Sequence, residues 1–259
     1  MDKKECAMGF IRANMLPILR EAKRRRFSGK LLLLGQGDMY FTQSQLMQMA
    51  ELVGIELDKS ILLVDASKPE FKAKGYIEAR EVFLKLGFSE VDALDYSKFE
   101  GANVVHDLNS ADVPQQFIGR YDAVFDHGTL EHVFHLPNAL QSIFKFLKVG
   151  GRLVIGTPGN GYFDHGFYQL QPTLLHDYYS VNQWEINSIR IVHVGVNQEN
   201  DPPFFTDYYP GSFNSIGYGG MGGGLYAVVS VATKVAETTG DKIPYQGYYE
   251  RLSGWRDDS

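Results

Sequence analysis

The chain has 259 residues, 44% of them hydrophobic and 22% charged, with a formal net charge of −6. This composition reads as a globular protein with one large core that needs no disulfide or metal staple, and the acidic balance argues against a general nucleic-acid binder. No apolar run approaches the roughly 18 residues of a membrane span, the start MDKKECAMGF lacks a signal-peptide core, and the single cysteine, Cys6, fits a reducing cytosol, so a cytoplasmic protein without membrane or nucleic-acid partners is expected.

In chain order, the spacing of Ile11, Met15, Leu16, Ile18 and Leu19 predicts a helix from about Ile11 to Arg26. Its basic end, Lys23-Arg24-Arg25-Arg26, reads as a solvated terminus whose cations suit the helix dipole, with an anionic-ligand contact as the alternative. GKLLLLGQGD is an apolar run between glycines, the pattern of a strand buried on both faces. SQLMQMAELVG predicts a helix stopped by Gly54. SILLVDAS (60–67) is a further strand-like run, and YIEAREVFLKLGF is an amphipathic helix stopped by Gly87. VDALDYS and ANVVHDLN predict strands that each end in an acid, and YDAVFDHG predicts another. LPNALQSIFKFLKVGG is helical up to its paired glycines and leads into the strand RLVIGTP. Such alternation implies an α/β fold, a doubly wound, mostly parallel sheet with helices on both faces.

Beyond residue 158 the character changes. GYFDHGFYQLQP and PPFFTDYYPG are loop-rich and aromatic, and YGGMGGG reads as flexible or turn-forming, with a disordered loop the expected state. SIRIVHVGV is a strand candidate, and LYAVVSVATKV predicts a strong closing strand.

Ligands of a doubly wound sheet bind outside the carboxyl ends of its strands. Gly35-Gln36-Gly37 follows the first strand, where glycines allow close approach to the backbone. Met39 and Tyr40 stand where a dinucleotide fingerprint continues toward its third glycine, which disfavours that reading. Asp95 closes VDALD and is placed to accept hydrogen bonds from a ribose diol, with Asp65 at the end of SILLVD as its rival. Asp107-Leu108 and Asp126 occupy later strand ends. FDHGTLEHVFHL packs Glu131 with His127, His132 and His135, three of the chain's seven histidines. Their spacing departs from the His-x-x-x-His of a helical zinc site, so no metal is expected. His135, before Pro137, reads as a surface or capping residue, and His132 as either a half-buried residue or part of an active-site wall.

Gly-X-Gly, Asp, Asp-Leu and Asp on successive strand ends, followed by a helix and LKVGGRLVIGTP, resemble the class I S-adenosylmethionine-dependent methyltransferases. The likeness is strongest over YDAVFDHGTLEHVFHLPNALQSIFKFLKVGGRLVIGTP and extends over about 30–160. It implies a Rossmann-like methyltransferase fold within a single domain, 1–259. That domain comprises an N-terminal helical segment (1–28), a cofactor-binding core (29–158) with an insertion at about 54–88, and substrate-side loops with closing strands (159–259). The resemblance implies S-adenosyl-L-methionine as cofactor. Gly35, Gln36 and Gly37 would then meet its methionine part, Asp95 the ribose, and Tyr96 the adenine side. Asp107 and Leu108 would meet the adenine amine and ring, while Asp126 and His127 would line the methionine end. A small-molecule hydroxyl on a sugar, glycan precursor or natural product is the expected acceptor. His127, His132 and His165 are the base candidates, since an imidazole titrates near operating pH. Methylation of an anionic oxygen or of nitrogen is the alternative chemistry. A non-catalytic nucleotide binder or an NAD-type enzyme is the alternative of another class.

Overall fold

In β1 (Lys30–Leu34) four consecutive leucines point alternately to two sides of a sheet. Leu31 and Leu33 enter one apolar layer and Leu32 and Leu34 the other, as the two-residue period of a strand requires. A strand apolar on both faces must be covered on both. The computed structural model, which describes residues 9–98, 101–194 and 204–250, supplies both covers. One face carries α1 (Arg12–Arg24), α2 (Gln43–Val53) and, beyond the short α3 (Pro69–Ala73), α4 (Ala79–Lys85). Met15, Ile18, Leu46, Met49, Val82 and Phe83 fill that layer. The opposite face carries α5 (Leu136–Phe146) and α6 (Pro172–Val181), which contribute Leu140, Ile143, Leu175 and Tyr179. A four-residue turn of helix, α7 (Gly247–Glu250), follows near the end of the described residues.

The remaining strands are β2 (Glu90–Asp95), β3 (Val104–Val105), β4 (Tyr121–His127), β5 (Leu147–Asn160), β6 (Glu185–His193), β7 (Phe204–Asp207) and β8 (Tyr226–Thr233). They form one eight-stranded sheet in the order β3-β2-β1-β4-β5-β8-β6-β7. Pairing is parallel from β3 through β5 and antiparallel from β5 to β8, β8 to β6 and β6 to β7. The chain runs from β1 to β2 and β3 on one side, then returns to β4 on the other. The order therefore reverses between β1 and β4, which is where doubly wound sheets hold ligands.

Local chemistry sets the element ends. The Thr42 hydroxyl accepts from the Gln45 N–H while the Gln45 side chain accepts from the Thr42 N–H, a reciprocal cap on α2. Gly54 ends that helix in the left-handed region at φ 70°. The basic end of α1 is a structural seam for three of its four residues. Lys23 Nζ donates to the Val53 carbonyl, Arg24 bonds Glu21, and Arg25 reaches the Gly150 carbonyl. Beneath it, buried Arg152 bonds Glu21 Oε1 at 2.9 Å and the carbonyls of Arg25 and Arg26, with its guanidinium 3.8 Å from the Phe27 ring centroid.

Several expectations need correction. SILLVDAS is not a sheet strand. Both edges of β1 are taken by β2 and β4, and the segment makes only the isolated bridge Asp65 to Ile77, leaving Leu62 and Val64 exposed. The insertion at 54–88 forms the outer flank of the helical cover, pinned by Lys85 Nζ on the carbonyls of Asp58 and Ile61. Helix α4 is shorter than YIEAREVFLKLGF suggested, and α5 stops at Phe146 because Leu147 already pairs with Tyr121. Helix α6 and strand β7 were not anticipated. The glycine-rich stretch is a succession of turns, with Gly220 N–H on the Ile216 carbonyl and Tyr226 Oη on the Met221 carbonyl. Cys6 lies outside the described residues. No helix among them is long and apolar enough to cross a membrane.

Candidate active site

The loop leaving β1 turns through Gly35 and Gly37, both in the left-handed region at φ 76° and 69°. The Gly35 N–H donates to the Leu94 carbonyl at 2.8 Å, tying the loop to the end of β2. The residues before α1 close over it: Phe10 N–H donates to the Asp38 carbonyl and Tyr40 N–H to the Phe10 carbonyl. A Cβ on Gly37 would lie 2.8 Å from the Phe10 ring, so a side chain here is excluded by both space and backbone conformation.

Between this loop and the ends of β2, β3 and β4 lies a cleft of about 420 Å³. Gly35, Gln36, Gly37, Asp95, Tyr96, Asp107, Leu108 and His127 all line it, as does His132. Asp65 does not, which separates it from Asp95: the isolated bridge to Ile77 holds it outside the sheet. Asp95 Oδ1 accepts from the Ser97 N–H at 3.3 Å. Asp107 Oδ1 accepts from the backbone and side-chain amides of Asn109, which fixes the carboxylate at the cleft wall. Gly9, Asp38, Tyr40, His106, Asn109 and Thr129 also border the cleft and escaped the sequence reading. Asn109 and Thr129 flank predicted strand ends and could have been inferred. Gly9 is brought there only by the fold of the N-terminal segment.

Asp126 and His127 part company because successive strand residues face opposite sides of a sheet. The expectation that Asp126 lines the cleft is corrected. It is fully buried on the α5 and α6 face, where Oδ1 accepts from the N–H groups of Thr129 and Leu130. Burial, then the neighbouring Glu131, push its carboxyl well above the usual range, against the pull of those two N–H groups. His127 points to the other face, its ring stacked on Phe10 at 4.3 Å. A Cβ on Gly156 would lie 2.6 Å from the same ring, so the imidazole is clamped from both sides. Burial pushes its pKa down to about 3. The ring is a packed wall of the cleft, and burial disfavours the imidazolium that a base would have to form.

The other two base candidates do come together. A 3-10 turn, Leu130–His132, follows β4, and the loop after β5 folds onto it. The N–H groups of Phe167 and Tyr168 donate to the Glu131 carbonyl at 2.7 and 3.2 Å, and Tyr168 Oη donates to the Phe134 carbonyl. Gly166, at φ 77°, passes so close that a Cβ would lie 2.8 Å from that Glu131 carbonyl. This clamp places His165 Nε2 at 3.6 Å from Glu131 Oε1 and the His132 and His165 rings 5.2 Å apart. Burial lowers the pKa of His132, and burial together with His132 lowers that of His165. Glu131 is fully buried, and burial pushes its carboxyl up to about 7. His135 is exposed at the start of α5, its N–H on Asn109 Oδ1. The cluster that forms is thus Glu131, His132 and His165, in place of the Glu131, His127, His132 and His135 grouping weighed from sequence.

A second hollow, of about 430 Å³, opens at the same carboxyl edge where Asn160 of β5 registers with Tyr226 of β8. Asn160, Gln171, Thr173, Asn214, Tyr208 and Tyr218 line it, mixing amide and hydroxyl groups with aromatic faces.

No protein-family model matches the sequence, and no curated protein matches it. Solved structures are similar in outline. A 1,6-didemethyltoxoflavin-N1-methyltransferase from Burkholderia thailandensis, with bound 1,6-didemethyltoxoflavin and S-adenosylhomocysteine, is 14% identical at a TM-score of 0.40, covering 85% of this chain and 76% of its own. A putative methyltransferase from Bacillus halodurans is 9% identical at a TM-score of 0.44, covering 85% of this chain and 98% of its own. A 16S rRNA (adenine(1408)-N(1))-methyltransferase from Catenulisporales acidiphilia is 13% identical at 0.39, covering 85% and 93%. At these scores the likeness assigns no activity.

Proposed function

We propose that the protein is a class I S-adenosylmethionine-dependent methyltransferase acting on a hydroxyl of a small molecule. The observation that carries this reading is the cleft at the β1/β4 switch point, where consecutive strand ends offer complementary groups to one extended ligand. Gly35 and Gly37 leave backbone open to the amino-acid end. The Asp95 carboxylate faces the cleft where a ribose diol would need acceptors, and Asp107 with the buried Leu108 suits an exocyclic amine beside an apolar ring.

When bound, the cofactor supplies a sulfonium methyl for in-line attack. The chain's part is to align the acceptor and activate it. With His127 clamped, activation falls to the rim formed by His132 and His165. The second hollow, polar and aromatic, suits a hydroxyl-rich acceptor such as a sugar or glycan precursor.

Calorimetric titration tests the reading. S-adenosylhomocysteine binds in a one-to-one ratio and NAD does not. Binding of NAD with no heat from S-adenosylhomocysteine would defeat the proposal. Methyl transfer from labelled S-adenosylmethionine to a panel of sugars, phenols, amines and carboxylates then reports the acceptor atom.

A further inference from the structure

Glu131 poses a problem that methyl transfer by itself does not explain. Its side chain is fully buried, and neither carboxylate oxygen has a hydrogen-bond partner among the described residues. Burying an unpartnered carboxyl costs free energy, so its retention calls for a ligand. His165 Nε2 is also buried and without a hydrogen-bond partner among the described residues, and it faces Glu131 across 3.6 Å. That gap is too long for a hydrogen bond. It does suit two donors sharing one ion: bonds of about 2.1 Å at a tetrahedral angle separate the donor atoms by about 3.4 Å. His132 completes the group, since one ligand-capable atom from each of Glu131, His132 and His165 lies within 4.8 Å of the others.

Two strand ends build this arrangement. The loop after β5 is held over Glu131 by the Phe167 and Tyr168 N–H groups, and only glycine fits at 166 where the two segments touch. Asp164 adopts φ 62° immediately before His165, a left-handed turn that aspartate tolerates better than most residues. The chain thus delivers His165 to Glu131 from a distant segment, while His132 belongs both to this cluster and to the cleft wall.

We propose that Glu131, His132 and His165 bind a divalent transition-metal ion at the acceptor rim of the cleft. Two imidazoles and one carboxylate suit zinc, cobalt, manganese or ferrous iron and leave coordination positions open. The inference deepens the methyltransferase reading and, for its role, rests on it. An acceptor hydroxyl coordinated there loses its proton to water, and the resulting oxygen attacks the sulfonium methyl. The new O–CH3 bond forms as the S–CH3 bond breaks, and neutral S-adenosylhomocysteine departs.

Chelator-treated full-length protein is titrated with Zn2+ by calorimetry and with Co2+ by visible absorption. One equivalent is expected to bind, with d–d bands in the cobalt form. Glu131→Gln and His165→Ala each weaken binding at least tenfold, while His176→Ala, a histidine paired with Asp177 outside the cluster, leaves it unchanged. S-adenosylhomocysteine binding by the two cluster variants verifies that they fold. Wild-type protein that takes up no equivalent of either ion overturns the site, as does affinity that survives in both variants. Either result with S-adenosylhomocysteine binding retained rejects the ion alone and leaves His132 and His165 as bases. Stoichiometric metal uptake without S-adenosylhomocysteine binding rejects the methyltransferase reading instead.

Discussion

The two halves of the sheet are built on different terms. From β3 to β5 the strands are parallel, and the cleft is assembled from residues that directly follow their carboxyl ends. From β8 to β7 they are antiparallel, and the second hollow is lined by loops and turns together with residues of β5, β6, β8 and α6. Parallel strands need crossover connections, which align all their carboxyl ends on one edge and make the ligand site a consequence of topology. The antiparallel half has no such rule, so its contribution depends on where each loop is clamped. On the proposed reading, the first half holds the cofactor and the second chooses the acceptor.

The largest effect is expected at the frame that both halves share. Arg152→Ala takes away the buried partner of Glu21, leaving it only the exposed Arg24, and should cost up to about 3–5 kcal/mol in urea denaturation. Activity per folded molecule should be unchanged, and a specific loss of turnover would show that this frame also tunes the cleft. Next comes Asp95→Ala, which removes acceptors for charge-assisted hydrogen bonds worth about 1.5–3 kcal/mol and should weaken S-adenosylhomocysteine binding about ten- to a hundredfold. Asp65→Ala should not alter it, and the reverse result would place the cofactor outside the switch point.

Gly166→Ala tests the other half. Its positive φ and the 2.8 Å approach to the Glu131 carbonyl predict about 1–3 kcal/mol of strain. Turnover should fall as His165 is displaced, while S-adenosylhomocysteine affinity holds. Loss of that affinity would mean that the halves do not divide the work as described. The smallest effect is in the acid limb of the rate profile. His132 and His165 both have pKa values below the ordinary 6.5, so they become protonated only as the pH falls further than a free imidazole requires. Activity should therefore decline below pH 6.5 where either imidazole takes up the proton, and a decline centred near 7 would assign the limb to Glu131, whose buried carboxyl is pushed up to about 7.

Much of the first half was legible. The leucines of β1 declared a strand buried on both faces, and the acids at 95 and 107 announced strand ends because each closes a short strand-like run, VDALD and NVVHD. SILLVDAS misled for an instructive reason: its composition matches a strand, but β1 had no free edge to offer. Asp126 and His127 were read together because they are adjacent, although strand alternation sends them to opposite faces. The gathering of Glu131 with His165 had no local signal, since it depends on two main-chain bonds between distant loops.

By itself, then, the sequence determined the alternating strands and helices, the glycine-bearing first loop and the acids at successive strand ends. These follow from short-range periodicity and backbone freedom, which are written residue by residue. Only the tertiary structure decided that Asp95 rather than Asp65 borders the cleft, that His127 is packed away, and that Glu131, His132 and His165 share one small space. Those outcomes depend on edge availability, on which face a residue takes and on long-range clamps, and none of these is a property of any single stretch of chain.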